Sequence, residues 1–501
     1  MTQQTSRREF LRQSAAFSAL GAAAPFAMNL AAMSAAQAQS ATDYRALVCI
    51  FLFGGNDSAN MVLPTDTASW NAYTATRNLA PDPIALKAPG TAAVGSAAAG
   101  SPDRLGGVLP ITPATAQSGR SFALHPVMTS LQGLFGQGRL AIVPNVGPLV
   151  QPLTKADYSN ANVPKPAKLF SHNDQQNTWQ AFAPEGAQKG WGGLIGDQIA
   201  AQNTNSNFTC ISAAGNAVWL SGQTTRQYQV STGGAVRVGT DSSGKVYGSS
   251  DVAAAMGRIL GMSSGHVLSA DVADVAKRAM SAEATLRTAL PAANAAPYGS
   301  ATSPDPLLQY DNPLTGGKST NGLAQQLQVI ARLIGSASTL GMKRQVFFVS
   351  LGGFDTHDLQ NRSHADLYAR LAHGLSYFDT VLGALGMRDQ VTTFTASDFG
   401  RTFTSNGDGT DHGWGGHHFV MGGSVKGGDI YGRFPTLGVS DGKNGWTSPD
   451  QLGNGVFLPT VSVDQYAATM GRWMGLGDTQ LATVMPNLKN FTQKDLGFMK
   501  A

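Results

Sequence analysis

Asp355 and His357 stand in "VSLGGFDTH", Asp398 and Arg401 in "ASDFGRT", and Asp411, His412, His417 and His418 in "DHGWGGHHF". Carboxylates and imidazoles grouped in this way suit zinc and similar divalent ions, whereas carboxylates and carbonyls alone would suit calcium or magnesium. Zinc is the expected metal, and manganese or calcium would fit a set richer in carboxylates. The alternative for the last stretch is a solvated glycine-rich loop with incidental histidines. Two earlier stretches add polar groups: "FLFGGNDSAN" carries Asp57 and Asn60, and "KLFSHNDQQNTWQ" carries Ser171 and His172. Ser171 reads either as a hydroxyl nucleophile acidified by a divalent ion or as the N-cap of a helix over "SHNDQQNTWQAF". The two roles are compatible, since a helix N-terminus also favours a bound anion. Among the nine histidines, His364 and His373 read as surface or partly buried members of the helix after "GGFDTH". Asp358 fits the first turn of that helix.

Placing these groups together requires a framework, and the hydrophobic pattern supplies one. The runs "ALVCIFLFGGND", "RLAIVPNVG", "RQVFFVSLGGFDTH" and "QVTTFTASDFGRT" are continuously apolar and end in Gly, Asn or Asp. Unbroken apolar character marks strands buried on both faces. Between them, "ALHPVMTSLQGLFGQG", "GLAQQLQVIARLIGSASTLG" and "ADLYARLAHGLSYFDTVLGALG" space apolar residues by three and four, with a terminal glycine suited to a C-cap. Alternating strands and helices predict an α/β fold with a mostly parallel sheet and helices on both faces. Ligands in such sheets bind beyond the carboxyl ends of strands, where all these polar clusters fall. Residues 64–120, rich in Pro, Ala, Gly and Ser, read as an irregular loop excursion. Residues of about 200–320 read as an insertion capping the sheet, with a helix over "SADVADVAKRAMSAEATLRTAL".

The N-terminus, with Arg7 and Arg8 ahead of an alanine-rich apolar stretch and Ala36-Gln37-Ala38, reads as a twin-arginine signal peptide over residues 1–38. The expectation is a periplasmic or secreted protein, handled by the twin-arginine translocase during export and free of stable membrane insertion afterwards, with residues 39–501 as one α/β domain. Cys49 and Cys210 lie in apolar runs and read as buried free thiols in preference to a disulfide. A net charge of +4 over 501 residues, without long basic runs, argues against nucleic acid as a partner.

The order of these motifs is similar to that of the alkaline phosphatase superfamily, which includes sulfatases and cofactor-independent phosphoglycerate mutases. More closely, "FLFGGNDSAN", "FSHNDQQNTW", "VSLGGFDTH", "ASDFGRT" and "DHGWGGHHFVMGG" resemble a family of exported bacterial proteins known as domain of unknown function fifteen-oh-one. The superfamily resemblance implies an alkaline-phosphatase-like sheet and one or two divalent ions. Asp57, Asp398 and His412 would hold one ion beside Ser171, and Asp355, His357 and His417 or His418 the other. It also implies that Arg401 either pairs with a tetrahedral anion or braces Asp398. The pattern departs from the superfamily at Asp398-Phe399, where an Asp-His pair is usual, so either His412 replaces the missing ligand or one metal site is degraded.

The function implied is an exported metal-dependent hydrolase of phosphate or sulfate esters, acting on a small-molecule or polymer-linked substrate. Phosphoesters are preferred, since no Cys/Ser-x-Pro-x-Arg motif accompanies Ser171. The alternative is a non-catalytic periplasmic binding or scaffold protein that keeps the fold and one metal. A serine hydrolase is disfavoured, because no G-x-S-x-G elbow is present.

Overall fold

Nine strands form the central sheet: β1 (Arg45–Phe53), β2 (Leu140–Gly147), β3 (Cys210–Ser212), β4 (Tyr228–Ser231), β5 (Gly234–Ala235), β6 (Arg344–Gly352), β7 (Val391–Ser397), β8 (Gly416–Met421) and β9 (Val461–Ser462). The computed structural model describes residues 44–236, 240–241, 243–262, 267–443 and 445–500. The expected signal peptide and His266 lie outside them. The strand order is β9-β2-β8-β7-β1-β6-β3-β4-β5. Strand β1 pairs in parallel with both β6 and β7, and β6 pairs in parallel with β3. Only β8 and the edge strand β5 run against the others. The chain is thus a mixed α/β protein built on a large, mostly parallel sheet.

The apolar runs explain this centre. The main helices are α1 (Thr67–Arg77), α2 (Thr129–Gly136), α3 (His172–Ala181), α4 (Trp191–Ile199), α5 (Gly322–Gly335), α6 (Gln360–Ala384) and α7 (Val463–Trp473), and Leu47, Cys49 and Phe51 of β1 enter a core shared with α4 and α7. Ala46, Val48, Ile50 and Leu52 point the other way by the period of a strand and are equally buried, so both faces are covered. Helix α5 packs on β6, and α6 packs on α5. Cys49 and Cys210 are free and buried, in line with their apolar runs. Among the described residues, no helix is long and apolar enough to cross a membrane.

Two segments are more ordered than their composition suggests. The 64–120 excursion carries Leu109–Ile111, which joins Val62–Pro64 and Phe122–Leu124 in a small antiparallel sheet. Part of the 200–320 segment extends the main sheet as β3, β4 and β5, while Val267–Ala289 forms the expected helix.

Strand β8 is the largest departure from the sequence reading. "GHHFVM" does not belong to a loop; it returns antiparallel between β2 and β7. His417 and His418 are therefore core residues, 1% and 2% exposed, and do not stand among the implied metal ligands. His417 Nδ1 accepts the backbone N–H of Asn145 at 3.0 Å, and its ring packs on Phe434. His418 packs edge-on against Trp179, with Thr395 Oγ1 3.3 Å from its Nδ1. Burial pushes both imidazoles down to about 3, so they are neutral at ordinary pH.

A neutral buried histidine links stability to pH. The unfolded imidazole takes its proton near pH 6.5, the folded one only near 3, so stability is complete above the first value and is lost as pH falls toward the second. In His418→Phe, the slope of unfolding free energy against pH between roughly 4 and 6 should fall by about 1.4 kcal/mol per pH unit, read by urea denaturation. An unchanged slope would show that His418 is not kept neutral by the fold.

Candidate metal centre

The parallel strands β1, β6 and β7 finish at the same edge of the sheet, and their following loops meet there. Close approach is built into the sequence at Gly54, where φ is +114° and a Cβ would sit 2.3 Å from the backbone nitrogen of Asp355. Gly409 serves the same purpose, since a Cβ there would lie 2.3 Å from the carbonyl oxygen of His357. After Asp398 the chain makes a hairpin, Arg401–Ser405 against Thr410–His412, which folds His412 back over the strand ends. The N-terminus of α3 contributes His172.

Three imidazoles surround one carboxylate oxygen. The Nε2 atoms of His357, His172 and His412 lie 3.1, 3.4 and 3.5 Å from Asp355 Oδ1. His357 Nε2 and His412 Nε2 are 3.0 Å apart. A tetrahedral ion with bonds of about 2.0–2.2 Å sets its donors roughly 3.3–3.6 Å from one another. The ligand atoms of His172, Asp355 and His412 all fall within 4.8 Å of each other.

Each imidazole is turned by an oxygen behind it. His172 Nδ1 lies 2.7 Å from Asp398 Oδ2, His412 Nδ1 2.8 Å from the Phe170 carbonyl, and His357 Nδ1 3.2 Å from Asp411 Oδ1. Carbonyl and carboxylate oxygens only accept, so each Nδ1 that donates to its oxygen leaves Nε2 as the nitrogen that would face an ion at Asp355. Phe170 reaches this position with φ of +73°, a strained backbone for an aromatic residue, at the point where its carbonyl meets His412. Phe399 packs against the rings of both His172 and His412, giving an apolar wall where the superfamily pattern has a ligand.

The donor set fits a divalent ion. His172 Nε2 is buried and makes no hydrogen bond, and the same holds for Asp398 Oδ1. Three carboxylates, Asp355, Asp398 and Asp411, touch the imidazoles, while Arg401 is the guanidinium bonded to Asp355. The hydrogen bond with Asp398 raises the affinity of His172 for a proton against the effect of burial, whereas burial foremost lowers that of His412. Burial pushes the Asp355 carboxyl up, but the hydrogen bond and charge of Arg401, with His172 and His357, hold it below its ordinary range. Asp355 and His357 keep nearly half of their side-chain surface exposed, so the cluster is open on one side.

The other expected residues have different work. Arg401 braces Asp355, not Asp398: it donates to Asp355 Oδ1 at 2.8 Å, to the Gly54 carbonyl at 3.0 Å and to Thr410. Ser171 is the N-cap residue of α3, and its hydroxyl donates to Asp174 Oδ2 at 2.8 Å. Asp398 stands behind His172, with Gln176 on the same oxygen at 2.7 Å. Helix α6 starts at Gln360, so Asp358 precedes its first turn, and His364 is buried beside Tyr368. His172 and Asp411 are the participants that the motif pattern did not assign as ligand and support. Their signals were adjacency to Ser171 and to His412.

Asp57 is kept from the cluster by a buried ion pair. Arg77 grips both of its oxygens, at 2.5 and 2.9 Å, and Gln360 donates to Oδ2 at 2.7 Å. Burial pushes the Asp57 carboxyl up, and the charge and hydrogen bonds of Arg77 outweigh it, keeping it ionised. Gln360 Oε1 in turn accepts the hydroxyls of Thr356 and Thr410, tying this pair to the loop of Asp355 and the hairpin of Arg401. Removing one member of such a pair strands a buried charge, so Arg77→Ala should lower unfolding free energy by about 3–5 kcal/mol in denaturant titration. A loss near zero would contradict the pairing.

With the geometry in place, comparison with known proteins adds one finding. No curated protein matches the chain. A family model described as a protein of unknown function (DUF1501) matches residues 44–486, which run from the start of β1 to beyond α7. The chain belongs to the DUF1501 family.

Proposed function

We propose that this is an exported, metal-dependent hydrolase that cleaves phosphate esters at a single divalent ion, zinc by preference, within an alkaline-phosphatase-like sheet. The observation that carries the reading is the set of three imidazoles, each anchored through Nδ1 on an oxygen and each presenting Nε2 to Asp355 Oδ1. Imidazole nitrogens grouped with a carboxylate oxygen, with His172, Asp355 and His412 within 4.8 Å of one another, favour zinc over calcium or magnesium. The position at the carboxyl ends of parallel strands supports the superfamily comparison. A two-ion clamp receives no support, because Arg77 and Gln360 occupy Asp57, and His417 and His418 lie in β8.

The chemistry that such an ion supplies when bound is to acidify a water and to polarise the ester. The chain's residues do the rest. Asp355, fixed by Arg401, supplies the anionic ligand. Asp398, the Phe170 carbonyl and Asp411 hold His172, His412 and His357 in the tautomer that binds a cation. The exposed side of Asp355 and His357 admits substrate.

Elemental analysis of protein exported by its native pathway should find close to one equivalent of zinc or a similar ion. His172→Ala and His412→Ala should lose it, while Asp398→Asn should weaken affinity about 10–100-fold through misorientation of His172. Chromogenic phosphate esters should be hydrolysed in a chelator-sensitive way. Full occupancy in both histidine variants would refute the ligand set. Bound metal that raises the melting temperature without turnover on any phosphate or sulfate ester would favour the scaffold reading.

A further inference from the structure

A cleft of about 640 Å³ opens beside the cluster and shares Asp411 and His412 with it. Its volume lies within the range of roughly 300–1,000 Å³ usual for small-molecule sites. The walls include Tyr158, Phe170, Trp446 and Leu452, with Thr404 and Asn454 among the polar groups. No lysine or arginine is among the described residues that line it, and its ionised side chain is the Asp411 carboxylate. Lys155, on the same short helix as Tyr158, turns its ammonium to the carbonyls of Trp446 and Ser448 at 2.7 and 2.8 Å.

We infer that this cleft binds the uncharged, ring-bearing half of the substrate, the group that carries the ester, and disfavours anionic halves such as an aryl carboxylate. The inference deepens the hydrolase reading and rests on it for the word substrate, but the cleft itself is argued from its walls. Aromatic faces offer stacking area to a ring, and hydroxyl and amide groups offer hydrogen bonds to its edge. An anion entering here would meet Asp411 and no compensating cation, at a cost in desolvation. The shared ligand chemistry is a neutral ring with one apolar face, which either an aryl group or a sugar provides.

Calorimetric titration of the full protein, both metal-loaded and chelator-treated, separates this from the metal reading. The probes are cellobiose as a neutral sugar, 4-nitrobenzyl alcohol as a neutral aryl group, and 4-nitrobenzoate as an anionic ring of the same size. At least one neutral probe should bind the chelator-treated protein, and Tyr158→Ala should weaken it tenfold or more. 4-Nitrobenzoate should bind that form at least tenfold more weakly than the better neutral probe. Leu452→Asp, which adds charge to the wall, should also abolish neutral binding if Tyr158→Ala fails to fold. If the protein as exported carries no metal yet binds a neutral probe, the hydrolase reading falls and the cleft still stands. Failure of both neutral probes, or 4-nitrobenzoate binding as tightly as they do, would overturn the inference even if zinc is present.

Discussion

One oxygen atom, Oδ1 of Asp355, is the point on which this end of the molecule depends. Three imidazoles and the guanidinium of Arg401 meet at this one half-exposed carboxylate. Such crowding is tolerable only because each neighbour is fixed from behind. Arg401 is fully buried and held by Thr410 and Gly54, and each histidine ring is held by an oxygen of its own. The orientation of each group is thus set by contacts within the protein.

The supports reach well into the protein. Gln360 bonds to Asp57 on one side and to Thr356 and Thr410 on the other. The buried Asp57–Arg77 pair, unable to release either charge cheaply in an apolar setting, thus serves as a fixed post for the loops that carry Asp355 and Arg401. Asp57 contributes to the site through Gln360 and not as a ligand. Phe399 has a parallel role, setting the spacing of two imidazole rings by packing.

The cluster and the cleft beside it differ in chemistry. Charge and lone pairs are concentrated at Asp355 and the histidines, while the adjoining walls are mostly aromatic, aliphatic or neutral polar. An ester has the same division, an anionic centre joined to an organic group. Asp411 and His412 belong to both regions, so the hairpin that bears them sets the distance between the two.

By itself the sequence determined the strands β1, β2, β6 and β7, the helices α2, α5 and α6, and the loops at the strand ends. Continuous apolar runs have few ways to be buried other than in a two-sided sheet, and periods of three and four mark α5 and α6. It also marked Asp355, His357 and His412, because carboxylates and imidazoles flanked by glycines stand out locally. Only the tertiary structure decided which distant groups join them. "GHHFVM" carries polar residues that look accessible, yet β8 enters the sheet and burial makes His417 and His418 neutral core residues. His172 and Arg77 are separated from their partners by 226 and 20 residues, so no local pattern reports that one completes the cluster and the other withholds Asp57 from it. Ligand geometry depends on distances of a few ångströms between strand ends, and those are set by chain packing.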